Sequence, residues 1–172
     1  PIACIHNPAA GAEIKFGVGT LTKASQPKKV AVVGAGPAGL QAALTASRRG
    51  HAVSLFEARA AVGGQAAWWS TVPSRQELSG MITWLSAELA ESDAKVILNH
   101  KVDRAFLLSD GFEAVVVATG SQGVTHGWSP LRPERWDATP LPGATLPHVH
   151  SYTDYLQSRP KLSKRVAVVD SI

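Results

Sequence analysis

The chain has 172 residues, 45% of them hydrophobic, with 17 Lys+Arg against 13 Asp+Glu for a formal net charge of +4 at pH 7. That is enough apolar material for one domain with a packed core, and it excludes a disordered chain. The basic residues (Lys28, Lys29, Arg48, Arg49, Lys161, Lys164, Arg165) form no block and are not interleaved with aromatics, which points away from nucleic acid and toward a solvated surface that attracts phosphate-bearing ligands.

Residues 1–27 show no clear period and predict a connecting segment; residues 1–22 lack the basic start and apolar centre of a secretory signal. No apolar run is long enough to span a bilayer, so the expectation is a cytoplasmic protein with no membrane partner. The single cysteine, Cys4, excludes an internal disulfide framework, a zinc site of several cysteines of this chain and redox work by a cysteine pair; on its own it reads as a small buried residue. Residues 29–33 make the unbroken apolar run of a parallel strand buried on both faces. A helix over about 37–49 follows, with Leu40, Ala43 and Leu44 on one face and Gly50 where a left-handed cap is wanted. A second strand over 52–56 ends at Glu57 and closes a βαβ unit.

The stretch 58–75 reads as loop by its glycines and proline. Ser74 and Glu77 then predict a capping box before an amphipathic helix that ends near Ser92, with Leu78, Ile82, Leu85 and Leu89 on one face. Short strands are expected at 95–98 and near Val102, and a buried strand at 112–118 running into Thr119 and Gly120. Residues 121–150 read as irregular, 153–158 as a short helix and 165–170 as a further buried strand.

Gly34, Gly36 and Gly39 give G-x-G-x-x-G between the first strand and its helix. In that context the first glycine permits the tight turn, the second lets backbone approach a pyrophosphate, and the third lets helix pack closely on strand. Glu57 lies 23 residues after Gly34 (57 − 34), near the spacing at which a carboxylate meets a ribose hydroxyl, and its charge argues against a 2′-phosphate there. Gly63-Gly64-Gln65 reads equally as a flexible turn or as a place where backbone approaches the nucleotide beside the Gln65 amide. Thr119-Gly120 has the same two readings. The histidines (His6, His51, His100, His126, His148, His150) read as surface or loop residues rather than metal ligands, and Trp68, Trp69, Trp84, Trp128 and Trp136 as core or interface anchors. No nucleophile-elbow pattern is present, and no catalytic acid or base is assigned.

The segments CIHNPAAGAE, KKVAVVGAGPAGLQAA, RRGHAVSLFEA, VGGQ, VPSRQEL, WLSAEL, VVVATGS, SYTDYL and RVAVVD occur in the order found in one family. The chain resembles the C-terminal half of the iron-sulfur flavoproteins related to Old Yellow Enzyme: the 2,4-dienoyl-CoA reductase, trimethylamine dehydrogenase and histamine dehydrogenase group of NADH:flavin oxidoreductases. The resemblance implies an α/β fold, a Rossmann-like FAD/NAD(P)-binding domain with a central parallel sheet, here incomplete. It also implies FAD, or in one branch only ADP, in this domain, with FMN in a separate barrel and a 4Fe-4S cluster between them. Carried over by residue, Gly34, Gly36 and Gly39 with Pro37 and Ala38 match the pyrophosphate turn, and Glu57 with Ala58 the ribose-binding strand end. Gly64, Gln65, Arg75 and Val102 match further flavin-nucleotide contacts, Ala118, Thr119 and Gly120 the turn beside the cofactor, and Cys4 the last of four cluster cysteines.

The resemblance divides the chain into a linker after the cluster segment (1–27), the first part of the FAD or ADP domain (28–160) and the first strand of a truncated NAD(H) domain (161–172). Three cluster cysteines, the FMN barrel, most of the NAD(H) domain and the closing segment of the FAD domain are not in this sequence. The expected function is a dinucleotide-binding electron-transfer domain of an oxidoreductase acting on an enoyl-CoA or an N-methyl amine, the fragment alone being inactive. Its partners would be the FMN barrel, the NAD(H) domain and NADH or NADPH. The alternative is a non-catalytic nucleotide-binding interaction module with structural ADP.

Overall fold

The computed structural model describes residues 4–17, 19–121 and 142–168, which fall into two compact units, 1–120 and 121–172. In the first, four parallel strands pair in the order β3-β2-β1-β4: β1 (Lys29–Val33), β2 (Ala52–Phe56), β3 (Lys95–Ile97) and β4 (Ala114–Val117). Val33 stands in register with Phe56 on one side and Val117 on the other. The chain builds outward through β2 and β3, then returns to the far side of β1. The carboxyl ends of β1 and β4 therefore flank the point where the winding reverses, which is where open α/β sheets leave a crevice for ligands.

Helices α2 (Pro37–Arg48) and α4 (Leu78–Ala90) cover one face of this sheet. The i, i+3, i+4 stripe Leu40, Ala43 and Leu44 of α2 meets Val32 and Leu55 of the sheet and Leu89 of α4, all at most 1% exposed. Each leucine so buried contributes roughly 1.5–3 kcal/mol. Gly50, at φ +90, takes the left-handed position after α2, as the sequence predicts. On the other face, Phe56 meets Phe106 of α5 (Arg104–Ser109) and Phe112 edge-on at 5.4 and 5.8 Å.

Several expectations need correction. The 58–75 stretch contains a short helix, α3 (Gly64–Trp69), entered through Gly63 at φ +107; glycines that suggest loop here set up a helix start. Ser74 makes no capping box, because its φ of +67 removes it from the extended backbone a cap requires, and α4 begins at Leu78 without a side-chain cap. Near Val102 there is no strand; Asp103 accepts a hydrogen bond from the Phe106 N–H (2.8 Å) and caps α5 instead. The residues of β4 form a strand as expected but are not buried: among the described residues it lies at the sheet's edge, and Val117 is 74% exposed. Cys4 is exposed rather than buried, and the connecting segment that holds it contains one helical turn, α1 (Glu13–Phe16).

In the second unit, α6 (Tyr152–Ser158) starts one residue earlier than expected and carries a reciprocal cap. The Asp154 N–H donates to Ser151 Oγ (3.1 Å), and the Ser151 N–H donates to Asp154 Oδ2 (3.2 Å). Hydrogen bonds from the Ser151 hydroxyl and then its backbone hold the Asp154 carboxyl below its ordinary pKa. A depressed folded-state pKa means that the cap's contribution is present above the ordinary aspartate range and fades as pH falls through the lowered value. Ser151→Ala should therefore move the Asp154 titration upward, read by carboxyl-carbon NMR; an unmoved midpoint would remove the hydroxyl as the cause.

Of the strand expected at 165–170, residues 165–168 form none, and Val166 and Val168 are 57% and 89% exposed. A parallel strand draws its hydrogen bonds from neighbours, and the described residues of this unit contain no other strand. Residues 169–170 lie outside the described residues, as do His126, Trp128 and Trp136. No helix among the described residues is long and apolar enough to cross a membrane.

Candidate functional site

The three glycines after β1 differ in what surrounds them. Gly34 has φ +100, and a Cβ there would overlap the Ala118 carbonyl oxygen and stand 3.1 Å from the Thr119 Cα. At Gly39 a Cβ would overlap the Gly34 carbonyl oxygen and meet the Ala118 Cβ at 3.3 Å. Packing of the chain against itself thus demands glycine at both positions. Gly36 is different: its φ of −72 and ψ of 178 suit any residue, and a Cβ would meet nothing within 4 Å. The space in front of Gly36 is open.

That space lies at the start of α2, a 12-residue helix with no side-chain cap and with Pro37 in its first turn. Proline has no N–H to leave unsatisfied, while the N–H groups of Ala38 and Gly39 are among the first-turn donors that an α-helix cannot pair internally. With the positive end of the helix dipole they favour an anionic group.

Glu57, at the tip of β2, is fixed from several sides. Its N–H donates to the Ile97 carbonyl (2.9 Å) and its own carbonyl accepts from the His100 N–H (2.8 Å). Its carboxylate accepts from the Ala35 N–H through Oε2 (2.8 Å) and from the Arg59 N–H through Oε1 (3.0 Å). A carboxylate has about four acceptor positions, so about two remain for hydroxyl donors. Ala58 lies exposed in the turn that this second bond closes.

The Gly-Gly-Gln loop completes the crevice. The Gly63 N–H donates to the Ala35 carbonyl at 2.7 Å. Gly64, at φ +52, lies so close that a Cβ on it would stand 3.0 Å from the Gly36 Cα. The Gln65 amide nitrogen reaches to 3.7 Å from the place of a Cβ on Gly120, itself at φ +80. The structure thus brings together four of the segments expected from sequence: 34–39, Glu57 with Ala58, Gly64 with Gln65, and 118–120. Val102 follows the His100 that anchors Glu57, but its side chain lines an apolar groove of about 350 Å³ with Val33, Leu107, Phe112, Val115 and Val117. Arg75 stacks on Trp69 at 5.3 Å, and Arg59 on Trp68 at 4.1 Å. Cys4 is a free thiol, and among the described residues no group of three or more His, Cys, Asp or Glu could hold a metal. Sequence reasoning missed Ala35 and Arg59. The position of Ala35 between two glycines whose backbone is committed was the available signal; for Arg59 there was none.

Comparison with known proteins agrees with this fold. Residues 28–169 match the family described as pyridine nucleotide-disulphide oxidoreductase. A multifunctional alkene reductase/demethylase of Caballeronia cordobensis is 36% identical over 97% of this chain and 22% of its own length. Among solved structures, a 6-hydroxypseudooxynicotine amine oxidase from Pseudomonas geniculata N1 superposes with a TM-score of 0.77 at 29% identity, over 92% of this chain and 24% of that one. A 2-naphthoyl-CoA reductase bound to 2-naphthoyl-CoA gives 0.74 at 25% identity, over 94% and 22%. The chain thus spans about a fifth to a quarter of the length of these relatives.

Proposed function

The chain belongs to the pyridine nucleotide-disulphide oxidoreductase family, whose domain binds FAD, and from that premise we propose that its crevice holds the ADP portion of FAD for electron transfer within a larger oxidoreductase. One observation carries the reading: a Cβ-sized space is left open at Gly36 alone of the three glycines, in front of unpaired helix-start amides. A diphosphate fits that donor set, and the remaining acceptor positions of Glu57 fit ribose hydroxyls. Gln65, reaching toward Gly120, supplies an amide beside the β4 turn, and Ala118 and Thr119 form the opposite wall. The flavin would supply hydride and electron-transfer chemistry, while the turn 34–39, Glu57 and Gln65 of this chain would bind and orient it.

We extend the proposal to the enzyme that carries this domain. Its substrates are an enoyl-CoA or an N-methyl amine, it uses NADH or NADPH, and an FMN barrel and a 4Fe-4S cluster complete the electron path. A cluster takes four thiolates and this chain offers one, so its residues do not by themselves fit the cluster; Cys4 is proposed as one ligand of four. Arg75 and Val102 are proposed as outer contacts of the nucleotide.

The absorption spectrum of the purified protein tests the reading. A visible flavin band, with FAD recovered after denaturation, is the expected result. Recovery of ADP alone would instead favour a structural nucleotide in an interaction module. For Cys4, replacement by alanine in the whole enzyme should lower iron content, and unchanged iron would remove it from the ligand set.

A further inference from the structure

Ala35 is fully buried, and both of its main-chain polar groups are tied to loops outside the glycine turn. Its N–H donates to Glu57 Oε2 and its carbonyl accepts from the Gly63 N–H. The other Glu57 oxygen holds the Arg59 N–H. One carboxylate thus joins two peptide groups, one in the turn after β1 and one in the turn after β2. A buried N–H left without an acceptor is costly, so this bond is a strong determinant of where the turn sits.

We propose that Glu57 is a positioning residue for the phosphate-binding turn, acting through Ala35, in addition to any grip on ribose. The inference rests on the nucleotide reading above. Gly36 and the helix-start amides can meet a diphosphate only while the 34–36 backbone is held in place, and beyond the bond from the Gly34 N–H to the Phe56 carbonyl (2.8 Å) the glycines have no side chains to lock it. The Glu57 carboxylate supplies that lock from the tip of the neighbouring strand. Removing it should therefore weaken binding of the diphosphate, a group it does not touch.

The experiment compares ADP with 2′,3′-dideoxy-ADP, which lacks both ribose hydroxyls, on the full chain freed of bound nucleotide. A residue that acts only through ribose leaves dideoxy-ADP affinity equal in wild type and Glu57→Ala. The positioning role instead predicts that Glu57→Ala weakens dideoxy-ADP about tenfold or more, and ADP further still. Glu57→Gln keeps one acceptor oxygen and can serve one of the two amides, so it should recover part of the dideoxy-ADP loss. Hydrogen exchange at the Ala35 amide, measured without nucleotide, should accelerate in Glu57→Ala, and by less in Glu57→Gln, while the amides of β1 stay protected. Equal dideoxy-ADP affinities in wild type and Glu57→Ala, or an Ala35 amide that exchanges at the wild-type rate in Glu57→Ala, would overturn the proposal. If the wild-type chain binds neither nucleotide, the nucleotide reading falls, and Ala35 exchange alone decides the role of Glu57.

Discussion

Gly39→Ala is expected to lose about 3 kcal/mol or more of stability, read as a lowered midpoint in urea or thermal unfolding. Two effects oppose each other at this site. Alanine is a better helix former than glycine by about 1 kcal/mol, which would stabilise an exposed helical position. Here, however, the new methyl would overlap the Gly34 carbonyl oxygen, a backbone atom of a residue whose N–H is tied to the Phe56 carbonyl, and would press the Ala118 Cβ at 3.3 Å. Neither neighbour is the end of a flexible side chain, so α2 has to move off β1 and open the core formed by Leu40 and Leu44. The steric cost wins, and a variant as stable as the parent would show that helix and strand do not meet this way.

Gly36→Val should do the reverse. Its backbone conformation suits valine and a Cβ meets nothing within 4 Å, so the loss of stability should stay near the roughly 1 kcal/mol of a poorer helix N-cap. The branched side chain would fill the space assigned to the diphosphate, and ADP affinity should fall at least about 100-fold, or about 2.8 kcal/mol, by calorimetry. Two glycines three residues apart would then fail in opposite ways, one losing the fold and one the ligand. Unchanged affinity in Gly36→Val would place the nucleotide elsewhere.

The βαβ unit was legible because its signals are local. The apolar run before Gly34, the Leu40, Ala43 and Leu44 stripe and Gly50 each specify backbone within a few residues, and β1, α2 and β2 lie where these signals put them. The outline of the candidate site was legible for the same reason, since Gly34, Gly36, Gly39 and Glu57 belong to that unit. What escaped depends on tertiary placement. Gly63 and Gly64 look like loop residues until their contacts with Ala35, Ile82 and Gly36 are seen, and then they read as the entrance to α3. Ser74 and Glu77 have the spacing of a cap without its backbone, while Asp103 caps α5 in a region that reads as strand by its apolar residues. The β4 residues predict a strand correctly, but not how much of it is covered, because burial on two faces needs neighbours that a strand's own sequence does not name.

Both ends of the 58–62 arc are moored to a single residue, since Glu57 grips the amide of Ala35 and Gly63 grips its carbonyl. These five residues therefore behave as a small closed ring rather than an open connection. Lengthening such a ring adds only about 0.6 kcal/mol per doubling of its length, so inserted residues can bulge outward into water. Shortening it has no comparable outlet: one mooring must let go, and the slack would appear at the turn after β1, more than twenty positions earlier in the chain.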